Sequence, residues 1–279
     1  MYTPTTPYHN FHHAFAVLQF TAALYHHNIM QSLVPGVKQS LAQTMFASMI
    51  AVLCHDVGHD GLNNTHHVNS ASHLARTFFD QSPLENHHIS LTNAALGMHG
   101  CNVFENWSPE FNEFVRNLIS NSILATDMKM HDTVTADLTV YDPVILTRPS
   151  CNFAASGEGE GVVMLQFNVD QYELLRVSRL FLHAADIANS VRPFEISRVY
   201  ATKLADEFAG QVAKEREMGL PVSPFMVIPD VGTLARGELC FLRVIARPYF
   251  VALAAAFPHC QELVASLDLN IDKWESLSA

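Results

Sequence analysis

Three short stretches of the chain combine histidine with acidic residues at spacings that suit metal binding. His9 and His13 stand four residues apart, so a helix beginning near them would present both on one face. His55 and Asp56 are adjacent and follow an apolar stretch, and Asp186 lies within another apolar stretch. These residue types supply the nitrogen and oxygen ligands from which proteins build divalent metal sites.

The stretches with His55-Asp56 and with Asp186 indicate metal binding more strongly because they adjoin residues that are expected to be buried. A histidine–aspartate pair at the end of a buried helix would cost about 2–7 kcal/mol per unpaired group. A metal would satisfy the pair, whereas a polar helix end stopped by Gly58 would need none. Asp186 likewise stands among Leu, Phe, Ala and Ile, where a salt bridge with Arg179 or Arg192 is the alternative to metal binding.

Together, His13, His55, Asp56 and Asp186 make a set of two imidazoles and two carboxylates. Such a mixed set suits Zn²⁺ or another first-row metal, and Asp56 could bridge to a second, harder ion such as Mg²⁺ or Mn²⁺ completed by waters. Two neighbouring metals are a recurring device for phosphoester hydrolysis, because they lower the pKa of a shared water and hold the phosphoryl oxygens.

The composition limits the partners. The chain has 279 residues, with 16 Lys and Arg against 27 Asp and Glu, a net charge of −11, and 49% hydrophobic residues. It can therefore bury a core, and without a basic tract it is not expected to bind nucleic acid. A phosphate substrate remains compatible, because metal ions would supply the positive charge. The five cysteines include no CxxC pair, which argues against a zinc ribbon or a disulfide framework.

The elements that must position these residues are helices. Apolar periodicity predicts an all-α fold with helices at 13–25, 37–54, 71–79, 84–96, 111–130, 171–188, 196–217 and 239–257. Residues 132–168 lack this period and are predicted to form a long surface loop. Because the motifs lie on both sides of the loop, we expect one domain over 1–279.

We find no targeting signal in the sequence. The N-terminus has no signal-peptide pattern and no apolar run reaches membrane-spanning length, so we expect a cytoplasmic protein without a membrane span. The oligomeric state is left open.

Six motifs occur in order along the chain: YHNxxHA (8–14), HDxxHxGxxNN (55–64), LENHH (84–88), LATDMxxH (124–131), HxADxxN (183–189) and EFxxQ…GLPxSP (207–224). They resemble the catalytic domain of class I cyclic nucleotide phosphodiesterases, within the HD phosphohydrolase superfamily, over 8 to about 250. The resemblance implies a compact all-helical fold with a two-metal pocket, Zn²⁺ and Mg²⁺ (or Mn²⁺), that hydrolyses a 3′,5′-cyclic nucleotide to the 5′-monophosphate. Only seven residues precede the first motif, so the family's N-terminal helices are expected to be missing.

The resemblance also implies roles for single residues. His9 matches the general acid that protonates the leaving O3′, Glu207 the carboxylate that orients it, and His59 a pocket histidine near the phosphate. Glu85 and Thr126 match groups that hold waters of the second metal. The zinc ligands are matched by four positions, of which Asp56 also touches the second metal: His13, His55, Asp56 and Asp186.

The residues at the base-binding positions indicate conflicting substrate preferences. Asn189 matches a base-contacting position where asparagine is usual in cAMP-hydrolysing members, and Phe241 and Leu204 match the clamp on the flat base. This predicts that cAMP is preferred over cGMP. Glu238, however, stands where the family has a purine-binding glutamine. An ionised glutamate only accepts hydrogen bonds, so weakened or altered base recognition is expected.

Two alternatives remain beside the enzyme hypothesis. A degenerate relative would bind metal or nucleotide with little turnover, as the loss of polar groups at Gly58, Phe78-Phe79 and Val212-Ala213 would suggest. An HD phosphohydrolase could instead act on another phosphoester.

Overall fold

The computed structural model describes residues 1–29, 38–142 and 171–278, and within these ranges all regular structure is helical. The predicted all-α fold is confirmed. The helices are α1 Phe11–Asn28, α2 Lys38–Cys54, α3 Asn64–Asn69, α4 His73–Thr77, α5 Pro83–Gly97, α6 Pro109–Leu124, α7 His131–Thr139, α8 Gln171–Asp186, α9 Phe194–Glu217, α10 Val231–Phe241, α11 Arg247–Ala256 and α12 Gln261–Leu277.

Four of these helices, α1, α2, α6 and α8, pack on one another and hold the centre of the core. Leu118 of α6 and Leu180 and Phe181 of α8 are fully buried there. The ligand-type residues stand at the ends of three of these helices: His13 near the start of α1, Asp56 just beyond α2 and Asp186 at the end of α8. The packing of the core therefore brings the three sequence stretches to one place.

A buried triangle of hydroxyl groups joins the same three helices. The Tyr25 hydroxyl lies 3.0 Å from the Ser48 Oγ and 2.8 Å from the Ser178 Oγ, and the two serines lie 2.7 Å apart. The triangle satisfies polar groups that would otherwise be costly to bury, and it fixes the relative position of α1, α2 and α8.

Helix starts follow local capping chemistry. The Asn10 side chain accepts from the His12 backbone N–H and begins α1, directly after His9. The Asp230 side chain accepts from the Thr233 N–H and begins α10. The helix predicted at 239–257 therefore starts eight residues earlier, and a π-helical segment, Leu242–Ala246, joins α10 to α11.

The predicted loop over 132–168 is wrong at its beginning, where residues 131–139 form α7. Thr and Val weaken the helical pattern there, but Val134 and Leu138 are almost fully buried, and α7 packs against α11. Tertiary burial thus overrides weak propensity. The rest of the predicted loop, from 143 to 168, lies outside the described residues.

Other boundaries also differ. The helix predicted at 71–79 is only the short α4, because Ala71 and Phe79 on either side have left-handed φ values of 46° and 53°. The helix predicted at 111–130 ends at Leu124, and a 3₁₀ turn follows over Met128–Met130. The predictions did not include α3 and α12.

The expectation that no apolar run reaches membrane-spanning length is wrong: by length and composition alone Val231–Ala256 could cross a membrane, with a mean hydropathy of 1.6 over its most apolar 18 residues. In the structure it packs against α7 and α12, and Tyr249, Phe250 and Leu253 are fully buried. Of the most apolar 18 residues, 44% are buried in the structure. The absence of a membrane span stays a prediction.

Candidate active site

The four predicted ligands meet in one cluster. His13 Nε2 lies 3.0 Å from Asp186 Oδ1 and 3.4 Å from Asp56 Oδ2, and His55 Nε2 lies 3.3 Å and 3.1 Å from the same two oxygens. All four ligand atoms are within 4.8 Å of one another, and three of the four residues are buried. This is the arrangement that two imidazoles and two carboxylates take around a shared cation.

Hydrogen bonding fixes the tautomer of His55. Its Nδ1 lies 2.8 Å from the carbonyl oxygen of Val52, which can only accept, so Nδ1 carries the proton. The lone pair on Nε2 then faces Asp56 Oδ2, and both atoms are buried without a hydrogen-bond partner in the described part of the chain. A metal ion would satisfy both, so the residues fit the group that the sequence predicts.

The salt-bridge alternative for Asp186 does not hold. Arg179 approaches Asp137 at 4.0 Å, and Arg192 donates to the carbonyl oxygen of Ala16 at 2.8 Å. Asp186 instead pairs with His13 and His55.

Without a cation the cluster balances its charge by protonation. Burial would raise the pKa of Asp56, but the His55 imidazole holds it well below its usual value. Burial would lower the pKa of His55, but Asp56 and Asp186 raise it well above its usual value. A metal would replace the imidazole protons, because histidine ligates in its neutral form.

A second histidine–carboxylate pair lies beside the cluster. His9 Nδ1 donates to Glu207 Oε1, and Glu207 Oε2 accepts from the backbone N–H groups of Tyr8 (3.0 Å) and His9 (3.1 Å). Because Nδ1 of His9 is bound to Glu207, Nε2 is the ring nitrogen that remains available to a ligand in the pocket. Burial disfavours the charged imidazole, but Asp56 and Glu207 outweigh burial and raise the pKa of His9.

His59 stacks on His9, with ring centroids 4.0 Å apart and planes inclined by 16°. Burial and the neighbouring His9 lower the pKa of His59 to about 3, so this ring is neutral. Its Nδ1 accepts from the Gly61 N–H at 3.0 Å, which places the ring proton on Nε2. His59 therefore offers a neutral donor next to His9.

The carboxylate of Asp56 faces His13 and His55 with Oδ2, and we call the side that bears Oδ1 its outer side. Groups that can accept hydrogen bonds lie around this outer side. His88 donates through Nδ1 to the Val57 carbonyl (2.8 Å), and its Nε2 lies 3.9 Å from Asp56 Oδ1. Glu85 is buried and accepts from Asn64 Nδ2 at 2.9 Å. Burial and the Asp127 charge raise the pKa of Glu85 to about 7. This side could hold the waters of a second ion.

Thr126, predicted to join this group, is half-buried, and its Oγ1 donates to the carbonyl oxygen of Ile123 at 2.8 Å. That bond leaves the lone pairs of Oγ1 available to a water.

Comparison with known proteins agrees with this geometry. The family model described as 3′5′-cyclic nucleotide phosphodiesterase matches residues 8–267. The chain belongs to this family.

Curated phosphodiesterases of two specificities are similar to the chain. It is 31% identical over 275 residues to the human high affinity cGMP-specific 3′,5′-cyclic phosphodiesterase 9A, covering 97% of this chain and 41% of that protein. It is 30% identical over 277 residues to a Drosophila melanogaster 3′,5′-cyclic-AMP phosphodiesterase, isoform F, covering 99% and 39%. The chain thus spans less than half the length of these curated relatives.

A solved structure is also similar over nearly the whole chain. The phosphodiesterase domain of Salpingoeca rosetta rhodopsin phosphodiesterase has a TM-score of 0.82 and 35% identity, covering 99% of this chain and 77% of that one.

Of the positions that the phosphodiesterase pattern assigns to the base, Asn189 contacts Tyr8. The Tyr8 ring lies 4.7 Å from the His13 ring, and its hydroxyl accepts from Asn189 Nδ2 at 2.7 Å. Sequence reasoning missed Tyr8, although it opens the YHNxxHA motif. Leu204 of α9 is half-buried, and Phe241 of α10 is half-buried and packs against the core.

Glu238 stands one helical turn before Phe241, so the two share a face of α10. Its carboxyl group is half-buried and has no hydrogen-bond partner within the described ranges. Burial raises its pKa to about 7.

Helix α9, which carries Glu207, is held to the 61–64 turn by a buried polar network. Gln211 accepts from the Asn63 backbone N–H (2.9 Å) and donates through Nε2 to Asn63 Oδ1 (2.9 Å) and Glu215 Oε1 (2.7 Å). The changes at Val212-Ala213 leave this network intact.

Proposed function

We propose that this chain hydrolyses 3′,5′-cyclic nucleotides to 5′-monophosphates. The observation that carries the proposal is the juxtaposition of the metal-ligand cluster with a histidine whose proton is held by Glu207. A water oxygen would bond to phosphorus while the P–O3′ bond breaks, and a proton must reach O3′ as it leaves.

The chain's own residues supply that proton. Glu207 anchors Nδ1 of His9, so Nε2 can present a proton to O3′, and the raised pKa of His9 favours its protonated form. Neutral His59 lies against it as a further donor to a phosphoryl oxygen.

We propose Zn²⁺ in the set formed by His13, His55, Asp56 and Asp186, with Mg²⁺ or Mn²⁺ on the outer side of Asp56. Bound divalent ions supply Lewis acidity, which activates water and neutralises phosphate charge. Glu85 and Thr126 would hold water around the second ion.

We propose that cAMP is preferred over cGMP at neutral pH. Asn189 donates through Nδ2 to Tyr8, which leaves its Oδ1 to accept from the N6 amine of adenine. Phe241 and Leu204 would enclose the flat base from α10 and α9.

The alternatives are less favoured. A relative without turnover would not need the His9–Glu207 pair, which is fully formed. The family match over residues 8–267 favours a cyclic nucleotide over another phosphoester. The cytoplasmic location stays a prediction.

Two variants test the proposal. His9→Ala should abolish formation of 5′-monophosphate while metal content stays at the wild-type level. Asp186→Ala should lose bound metal as well as activity. Unchanged turnover in His9→Ala would show that His9 is not the acid.

A further inference from the structure

Residues 1–6 lie along the loop that joins α2 to α3, and hydrogen bonds connect the two. The Met1 carbonyl oxygen accepts from the Gly58 backbone N–H at 3.1 Å. Thr3 Oγ1 donates to the carbonyl oxygen of His59 at 3.4 Å. The same loop begins with two of the four metal-ligand residues, so residues 1–6 contact the backbone that presents them.

The packing of α5 limits the space around this loop. Gly58 has a φ of 80°, and a Cβ atom at this position would overlap Leu91 Cδ1 and lie 3.2 Å from His87 Nε2. Leu91 and His87 belong to α5, so the loop backbone lies directly on that helix. Residues 1–3 therefore supply hydrogen bonds to a loop that α5 already confines by packing.

Tyr2 makes the contact nearest in sequence to the ligands. Its hydroxyl donates to the carbonyl oxygen of Leu53 at 2.9 Å. Leu53 lies in the last turn of α2, where carbonyl oxygens have no amide partner within the helix and need other donors. The neighbouring Val52 carbonyl oxygen accepts from Nδ1 of His55. The end of α2 is thus completed by one donor from a metal ligand and one from Tyr2.

The ring of Tyr2 is itself fixed by packing. It is half-buried and meets the Phe11 ring edge to face, with centroids 6.2 Å apart and planes inclined by 67°. Phe11 is the first residue of α1, the helix that carries His13. Tyr2 therefore links the start of α1 to the end of α2, and these two helix ends present His13, His55 and Asp56.

We propose, on the basis of the proposed function, that Tyr2 is a positioning residue for the metal site. Its hydroxyl holds the Leu53 carbonyl oxygen and thereby fixes the backbone from which His55 and Asp56 reach the ion. Without this bond the last turn of α2 opens more often, so the two ligands spend less time in the geometry that binds a cation.

The test is the dissociation constant for Zn²⁺, measured by competition with a chelating dye. Tyr2→Phe removes only the hydroxyl group and keeps the ring against Phe11, and we expect it to bind Zn²⁺ about tenfold to hundredfold more weakly than wild type. Turnover at limiting metal should fall with the affinity, and a higher metal concentration should restore kcat. His9→Ala, which loses the proton donor, should not recover in this way.

Tyr249→Phe is the matched control, because it removes the same kind of bond elsewhere. The Tyr249 hydroxyl donates to the Leu180 carbonyl oxygen of α8 at 2.7 Å in the core. We expect this variant to lose stability against urea but to keep the wild-type affinity for Zn²⁺. Unchanged affinity in Tyr2→Phe, or an equal loss in both variants, would overturn the proposal.

Hydrogen exchange separates this proposal from the proposed function, because it requires no turnover. In metal-free protein, backbone amides over 55–59 should exchange about tenfold faster in Tyr2→Phe than in wild type, whereas those of α6 should not change. If the metal-loaded wild type hydrolyses no cyclic nucleotide, the proposed function fails, yet the loss of Zn²⁺ affinity and the faster exchange remain expected. Equal exchange over 55–59 in the two proteins would reject the role of Tyr2.

Discussion

The proton on His9 depends on the carboxylate behind it. In the proposed mechanism His9 acts in its protonated form, and its pKa is raised, so kcat/KM should fall as pH rises through a value above 6.5. Glu207→Gln removes the charge that supports the imidazolium, so this alkaline limb should move to lower pH. We also expect kcat to fall about tenfold to hundredfold.

The control for this profile is Asp206→Asn, at the exposed neighbour of Glu207 on α9. Its pH profile should match the wild type. An alkaline limb that stays in place in Glu207→Gln would mean that another group supplies the proton.

Phe79 carries backbone strain at the surface. It has a φ of 53° and is 84% exposed, so it has a left-handed backbone without burial to compensate. Phe79→Asn should raise the free energy of unfolding by about 1 kcal/mol, because asparagine tolerates this conformation.

Phe79→Ala is the matched comparison, since alanine removes the ring but keeps the strain. Urea denaturation should show that Phe79→Asn is the more stable of the two. Equal midpoints would indicate that the backbone at this position relaxes at no cost.

At the residue scale, the sequence predicted the ligand set but not the protonation of its members. The residue types and motif order place His13, His55, Asp56 and Asp186 in one set. The tautomers of His55 and His59 depend on the Val52 carbonyl and the Gly61 N–H, which only the folded backbone brings into place.

At the scale of elements, the contact between α9 and the 61–64 turn positions Glu207. Gln211→Ala would remove the hydrogen bonds to Asn63 and Glu215. The Asn63 backbone N–H would lose its partner, whereas Asn63 Oδ1 and Glu215 Oε1 would keep only their contacts with His66. We expect a loss of about 1–3 kcal/mol in the free energy of unfolding, with a lower kcat because α9 carries Glu207 one turn earlier.

Lys214→Ala, at an exposed position of the same helix, is the control and should leave both quantities unchanged. Urea midpoints and steady-state rates measure the two effects. A Gln211→Ala protein with wild-type stability would show that the network contributes nothing to docking α9.

Helices with clear apolar periodicity could be predicted, and those defined by tertiary contacts could not. The helices that carry the site, α1, α2, α8 and α9, begin and end within about three residues of their predicted bounds. Helix α7 was missed because its stability comes from burial of Val134 and Leu138 rather than from its local sequence.

For the whole molecule, metal binding should contribute to stability, because the cluster leaves His55 Nε2 and Asp56 Oδ2 buried without hydrogen bonds. Adding Zn²⁺ to chelator-treated protein at about a hundred times the dissociation constant should raise Tm by about 5–10 °C.

Asp186→Asn should abolish most of that rise, whereas Asp272→Asn, at an exposed position of α12, should keep it. An identical rise in both variants would place the stabilising ion outside this cluster.

The central claim is that this fold brings a metal cluster and a proton donor together to open a cyclic phosphate. The most direct measurement is the amount of 5′-monophosphate formed from cAMP and from cGMP by protein loaded with Zn²⁺ and Mg²⁺ (or Mn²⁺), with metal content determined on the same sample. We predict multiple turnovers of at least one nucleotide, lost on chelation and restored on reloading. Metal-loaded protein that forms no 5′-monophosphate from either nucleotide would contradict the claim.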